Sequence, residues 1–182
     1  MIDISNFAKY SCKGPGAEKW LNSVFANKMP SEVGQSCLTP LISVFGGVAG
    51  DATVTRISND EFWVVSSGIS ERYQQRFYNS VKLPENTSFR SRTNEMCGFN
   101  IAGPKSREIL QRLSNEDLSN KNWPFMRSGM LSIAGVMCLA LRISFTGDLG
   151  WELYCEANKQ QILYEALIQE AVNKRGGPVG TR

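Results

Sequence analysis

A chain of 182 residues, 42% hydrophobic and 20% charged, is long enough for one globular domain or two small interlocked ones. A net charge of +3 without a Lys/Arg cluster argues against nucleic acid, and the lack of a long apolar run argues against a transmembrane helix. With no histidine, Ser-His-Asp and Cys-His catalysis are excluded. The same lack, with five cysteines of which none has C-x-x-C spacing, argues against a bound metal.

In chain order, the opening Met1-Ile2-Asp3-Ile4-Ser5 does not read as a secretory signal, so a reducing compartment is expected: the cytoplasm, or the mitochondrial matrix in a eukaryote. Cys12, Cys37, Cys97, Cys138 and Cys155 are then buried, reduced thiols. Residues 7–13 read as a strand, and Gly14-Pro15-Gly16 as a break. Residues 17–25 have helical spacing, with Trp20, Leu21, Val24 and Phe25 on one face. Residues 27–35 are a loop and 38–45 a strand. A hairpin follows over 46–66, its strands joined by the four residues Ser58-Asn59-Asp60-Glu61. Residues 70–79 form a polar helix with Tyr73, Phe77 and Tyr78 as its buried side, and 83–93 a loop or edge strand.

The pattern then returns. Residues 96–101 are a strand, Gly103-Pro104 a break, and 105–113 a helix. After a polar loop come a strand over 129–133, a long strand over 136–145, a turn over 146–150 and a strand over 151–155. A last helix covers 158–173, with Ile162, Leu163, Ala166, Leu167 and Val172 apolar. Gly14-Pro15 and Gly103-Pro104 are 103 − 14 = 89 positions apart, as are Gly46 and Gly135, and Phe62 and Trp151. The expected fold is therefore α+β: pseudo-duplicated antiparallel β/α units with ferredoxin-like elements, over about 7–80 and 96–173.

Asp51 is a carboxylate inside a strand at the mouth of a glycine-rich turn, where acids are depleted. Alternation puts it on one strand face with Thr53 and Thr55, while Trp63 and Val65 share a face of the next strand. It reads either as a solvated strand-end acid or as a general base or cation anchor beside an aromatic wall. Glu152, between Trp151 and Leu153, reads as a solvated strand residue or a pocket carboxylate. If the halves pair about a pseudo-two-fold axis, Asp51 and Glu152 line one cleft between them. Lys9 and Arg142 read as solvated edge charges, with the alternative of steering a ligand's acidic tail.

The run Arg142-Ile143-Ser144-Phe145-Thr146-Gly147-Asp148-Leu149-Gly150-Trp151-Glu152-Leu153-Tyr154 resembles the S-Y-T-G-E-L-G-W-E-L-Y signature of the folate-binding aminomethyltransferase family. That family includes the glycine cleavage T-protein and the C-terminal folate regions of dimethylglycine and sarcosine dehydrogenases. Further stretches agree: Phe7-Ala8-Lys9-Tyr10 with Lys13-Gly14-Pro15, Gly46 to Thr55 as G-G-x-x-x-D-x-T-V-T, and Ala102-Gly103-Pro104-Lys105-Ser106-Arg107. Leu113 to Ser119 and Trp123-Pro124-Phe125 resemble the dimethylglycine dehydrogenase branch.

The resemblance implies a tetrahydrofolate-binding domain spanning 1–182 that transfers an aminomethyl or iminium one-carbon unit to give 5,10-methylenetetrahydrofolate. The donor would be an N-methylated amine or a glycine-derived intermediate. Asp51 matches the family's central catalytic aspartate. Thr53, Trp63, Val65, Phe145 and Glu152 match folate-pocket positions, with Glu152 holding the pterin. No flavin or metal is expected on this chain, since no G-x-G-x-x-G fingerprint is present. The implied partners are folate, a small amine-derived substrate and an amine-oxidising flavoprotein domain or subunit, with neither nucleic acid nor membrane. Phe145 replaces a tyrosine of the signature, and Asp148 a glutamate. The run from Gly177 to Arg182 matches a point where relatives continue into an arginine-containing helix and a β-rich domain, so a chain without that domain is expected. The alternatives are a non-catalytic folate-binding or regulatory module, an inactive fragment of a larger dehydrogenase, or an unrelated ferredoxin-like module. An RNA-binding version of the last is disfavoured by the weak charge and the lack of an aromatic RNP strand.

Overall fold

A computed structural model describes residues 1–180. Thr181 and Arg182, the end of the run matched to the family's continuation, lie outside the described residues. The elements in order are β1 (Ile2–Asp3), β2 (Ala8–Lys13), α1 (Ala17–Val24), β3 (Ser36–Ile42), β4 (Val48–Ser58), β5 (Glu61–Ser66), α2 (Glu71–Ser80) and β6 (Ser88–Ser91). There follow β7 (Met96–Ala102), α3 (Ser106–Leu113), β8 (Ser128–Ile133), β9 (Val136–Leu141), β10 (Gly150–Glu156), a 3-10 turn (Ala157–Lys159) and α4 (Gln160–Asn173). Among the described residues no helix is long and apolar enough to cross a membrane.

The chain divides into two compact units. One is Asn6–Thr93, with a sheet ordered β3-β4-β5-β2-β6. The other is Met1–Ser5 with the chain from Asn94 onward, its sheet ordered β8-β9-β10-β7-β1. All the pairings are antiparallel. Adding 89 to the bounds of α1 gives those of α3, 17 + 89 = 106 and 24 + 89 = 113. The same offset carries the start of β5 to that of β10 (61 to 150) and the start of α2 to that of α4 (71 to 160). The equivalent edge places go to different parts of the chain: β6 lies beside β2, and the N-terminal β1 beside β7.

Local chemistry explains the elements. Gly14 has φ +127°, and a Cβ there would lie 2.1 Å from the Asn86 carbonyl oxygen, so only glycine makes this turn into α1. Ala17, Trp20, Leu21 and Val24 then form a buried stripe at helical spacing. With Tyr10, Phe62, Val64 and Tyr78 they make the first core, where Tyr10 stacks on Phe89 at 4.9 Å. The second core joins Phe99, Ile101, Leu110, Trp151, Leu153, Leu163 and Leu167. Three thiols sit in it across one sheet row, with the sulfurs of Cys97 and Cys155 3.3 Å apart.

Several sequence expectations need correction. The β4–β5 connection is two residues long, because Ser58 and Glu61 already pair, with an irregularity after Arg56. The expected strand over 136–145 stops at Leu141: the Arg142 amide still donates to the in-register Arg127 carbonyl at 2.7 Å, but the Arg142 carbonyl accepts from the Met126 amide at 3.1 Å and the Ile143 amide turns back to the Leu141 carbonyl at 2.9 Å. In α2 the buried side chains are Gln74 and Tyr78, whereas Tyr73 is 56% exposed. Gln74 goes inside because its Oε1 accepts the Ser66 hydroxyl at 2.6 Å. In α4 the buried stripe is Leu163, Leu167 and Ala171, spaced four apart on one helix face, while Ile162 and Val172 face outward.

Candidate functional site

In each sheet the central strand is buried on both faces. On β5, Phe62 and Val64 enter the helix-side core, which leaves Trp63 and Val65 on the opposite face, each under a tenth exposed. Register extends that face sideways. Val65 pairs with Thr53 on one side and Lys9 on the other, and Trp63 pairs with Thr55 and Ser11. Asp51, two residues before Thr53, belongs to the same face near the start of β4, where it pairs with Pro40. Four of the predicted residues, Asp51, Thr53, Trp63 and Val65, therefore share one sheet face. Asp51 is exposed and makes no hydrogen bond or ion pair among the described residues. Its carboxylate is available to a ligand.

Lys9 was not expected to be where it is. The edge-charge reading fails, because Lys9 is fully buried on the inner strand β2, with its Nζ donating to the Phe7 carbonyl at 2.6 Å. Arg142 is buried too, at 8% exposed. Its guanidinium lies 4.5 Å over the Trp151 ring, and its Nη1 donates to the Gly150 carbonyl at 3.2 Å. Burial, then the nearby Arg107 charge, lowers its pKa.

In the other unit the same alternation sends Trp151, Leu153 and Cys155 into the helix-side core and turns Glu152 and Tyr154 to the opposite face. The solvated reading of Glu152 does not hold: it is 6% exposed. The Tyr154 hydroxyl donates to Glu152 Oε2 at 2.7 Å, and no described residue donates to Oε1. Burial raises the carboxyl pKa, and the phenol opposes that rise. Tyr154 is itself pushed upward by burial and by the Glu152 charge. The result is a carboxylate with one oxygen held and one spare, able to accept N–H groups from a ligand. Sequence reading passed over Tyr154, although alternation from Glu152 puts it on the same face.

Phe145 stands apart from both faces. It lies in the turn between β9 and β10 and is 78% exposed. The turn is held by Ser144 Oγ donating to the Asp148 carbonyl at 2.6 Å and Thr146 Oγ1 to Asp148 Oδ2 at 2.8 Å. Among the described residues no group of three or more acidic, cysteine or histidine side chains is arranged to hold a metal.

The family model described as the GCVT N-terminal domain matches residues 1–182. Human mitochondrial dimethylglycine dehydrogenase is 33% identical over 170 residues, which are 92% of this chain and 20% of that protein. The chain thus spans about a fifth of the length of that curated relative. The glycine cleavage system aminomethyltransferase T from Bartonella henselae superposes with a TM-score of 0.83 at 18% identity, over 98% of this chain and 46% of that one. The heterotetrameric sarcosine oxidase from Corynebacterium sp. U-96 gives 0.75 at 17% identity, over 97% and 85%. The fold is that of aminomethyltransferases, and the chain belongs to the GCVT N-terminal domain family, the folate-binding aminomethyltransferase-like domains.

Proposed function

We propose that this chain binds tetrahydrofolate and takes part in transferring a one-carbon unit from an amine-derived donor. The observation that carries the reading is Glu152, a buried carboxylate in a member of this family, with one oxygen fixed by Tyr154 and the other unclaimed. That free acceptor suits a pterin, whose exocyclic amino group needs one. Taken by itself, the face of Thr53, Trp63 and Val65 in the other unit suits a flat, partly apolar group. Tetrahydrofolate, when bound, supplies the nitrogens that capture the one-carbon unit as 5,10-methylenetetrahydrofolate.

The residues of this chain have separate tasks. Glu152 orients the ring by accepting from its amino group, and Tyr154 keeps that carboxylate in a single orientation. Asp51, unpaired and at the end of its sheet face, stabilises an iminium cation or takes the proton released as the new C–N bond forms. The names of the relatives point to an amine-oxidising flavoprotein domain or subunit as the source of the one-carbon unit, and to the mitochondrial matrix if the source is eukaryotic.

The first experiment is titration of the purified chain with 5-formyltetrahydrofolate, followed by tryptophan fluorescence. Saturable binding that weakens in Glu152→Ala is expected, and a folded chain that does not bind overturns the reading. Asp51→Asn should leave binding in place while methylene transfer falls on the order of 100-fold or more. Unchanged transfer in that variant would remove Asp51 from the mechanism.

A further inference from the structure

Asn100 stands on β7 as the register partner of Glu152 on β10. Antiparallel partners project from the same sheet face, with Cβ atoms about 4.5–5.5 Å apart. Asn100 is fully buried, and neither its Nδ2 nor its Oδ1 has a hydrogen-bond partner among the described residues. Buried amide heads are rarely left unpaired, because each forfeits the hydrogen bonds it made to water. The same row holds another orphan. Leu141, the partner of Glu152 on β9, pairs with Ser128 on β8, whose hydroxyl is also buried without a partner. The row Asn100, Glu152, Leu141, Ser128 is thus polar and under-satisfied within a buried sheet face. An aliphatic side chain at position 100 would fill the space without leaving polar atoms unpaired.

We propose that Asn100 is a second recognition residue of the Glu152 site, pairing with the cyclic amide edge of a ligand ring whose amino group goes to Glu152. This rests on the reading of Glu152 as the ring-holding carboxylate. The two side chains are chemically complementary. A carboxylate only accepts, so it suits an exocyclic amino group. A primary amide carries one donor head and one acceptor head side by side, the complement of a lactam N–H and C=O. A 2-amino-4-oxo pterin shows both edges next to each other. Asn100 would thus explain how the site takes the lactam as well as the amino group, which a carboxylate alone cannot do.

The test is Asn100→Leu in the full chain, with thermal unfolding and titration of two probes. One probe is 5-formyltetrahydrofolate, which has the lactam. The other is 4-aminobenzoylglutamate, which lacks the pterin. The expected signature is opposite in sign for stability and binding. Without ligand, Tm stays level or rises, because an unpaired buried amide has been removed. Affinity for 5-formyltetrahydrofolate falls by about tenfold or more, while any affinity for the second probe is unchanged. Asn100→Asp, which keeps the shape and removes the donor head, should weaken the same probe, and it secures the result if leucine does not fit. A lower Tm in the Asp and Leu variants with full affinity would make Asn100 structural and overturn the inference. Wild-type binding that is lost in Glu152→Ala but kept in Asn100→Leu would sink the inference alone. A wild-type chain that binds no 5-formyltetrahydrofolate would sink it together with the reading of Glu152.

Discussion

The two sheets are built alike and finished differently. Their helix-side faces match in kind: Phe62 and Val64 on β5 correspond by the 89-residue offset to Trp151 and Leu153 on β10, and all four are buried in their cores. Their other faces do not match. Trp63 corresponds to Glu152, and Val65 to Tyr154, so one unit presents an apolar surface where the other presents a carboxylate held by a phenol. The duplicated part is what makes each unit fold. The divergent part carries the candidate chemistry, and on the central strands it is apolar in one unit and polar in the other. A residue facing its own helices is constrained by packing density, whereas one on the other face is free to differ if something compensates for its burial.

The strongest way to break this comparison is to strike equivalent core positions. Phe62→Ala and Trp151→Ala each remove a fully buried aromatic and should cost about 3–5 kcal/mol. For a chain of this size that is a fall in Tm of roughly 6–20 °C, read by calorimetry or urea titration. If the units are energetically equivalent, the two losses will be similar. If one variant loses twice as much as the other, the likeness is topological only. Trp151 has an added contact, since Arg107 and Arg142 both lie against its ring, at 5.6 and 4.5 Å. It should therefore be the more costly of the two.

Helix-side packing is also what the sequence made legible. Trp20, Leu21 and Val24 at helical spacing, and Phe62 and Val64 alternating with Trp63 and Val65, are patterns that one face of a regular element imposes on a string. The offset between Gly14-Pro15 and Gly103-Pro104 was visible because turns constrain residue type strongly. The shared face of Asp51, Thr53, Trp63 and Val65 was half visible: each strand's alternation could be read, but the Thr53–Val65 register could not. Lys9 and Arg142 were misread for a related reason. A charged residue in a strand looks solvated until a carbonyl or an indole face is found for it, and Phe7, Gly150 and Trp151 supply those only in three dimensions. Asn100 was invisible for the same cause, because its pairing with Glu152 spans 52 positions, 152 − 100.

The middle-sized effect tests the divergent faces. The Glu152 carboxyl pKa is raised in the folded state. Between the unfolded carboxyl value of about 4.3 and the raised folded value, the folded chain holds the proton more tightly than the unfolded chain does. Stability contributed at this site is therefore present at low pH and lost as pH rises through that window. Glu152→Gln removes the titration while keeping the Tyr154 bond, so its stability relative to wild type should climb from pH 4 to pH 8. Trp63→Phe, at the equivalent position, should change stability by the same amount at every pH. Parallel curves for Glu152→Gln and wild type would mean that Glu152 is solvated and that the two faces do not differ in this way. Tyr154→Phe leaves the carboxylate without its donor, should cost about 1–3 kcal/mol at pH 7, and should steepen the wild-type slope.

The smallest effect falls where the offset itself fails. Position 145 corresponds to position 56, since 145 − 89 = 56, yet the two residues live in unlike places. Arg56 lies in β4, 6% exposed, with Nε donating to the Pro30 carbonyl at 2.7 Å, Nη1 to the Asn59 carbonyl at 2.8 Å, and an ion pair to Glu18. Phe145 has left the strand, because β9 stops at Leu141, and it sits on an exposed turn whose bonds run between Ser144, Thr146 and Asp148. Nothing in that turn depends on the Phe145 ring, so Phe145→Tyr should move stability by less than about 0.5 kcal/mol. Its effect on 5-formyltetrahydrofolate binding is the informative part. If the turn meets the ligand, the restored hydroxyl adds one hydrogen bond, about 1 kcal/mol or roughly a fivefold gain in affinity. If affinity stays level while Glu152→Ala abolishes binding, the turn is a bystander. Recognition in the unit that contains Glu152 would then rest on the sheet face and not on the loop that interrupts the repeat.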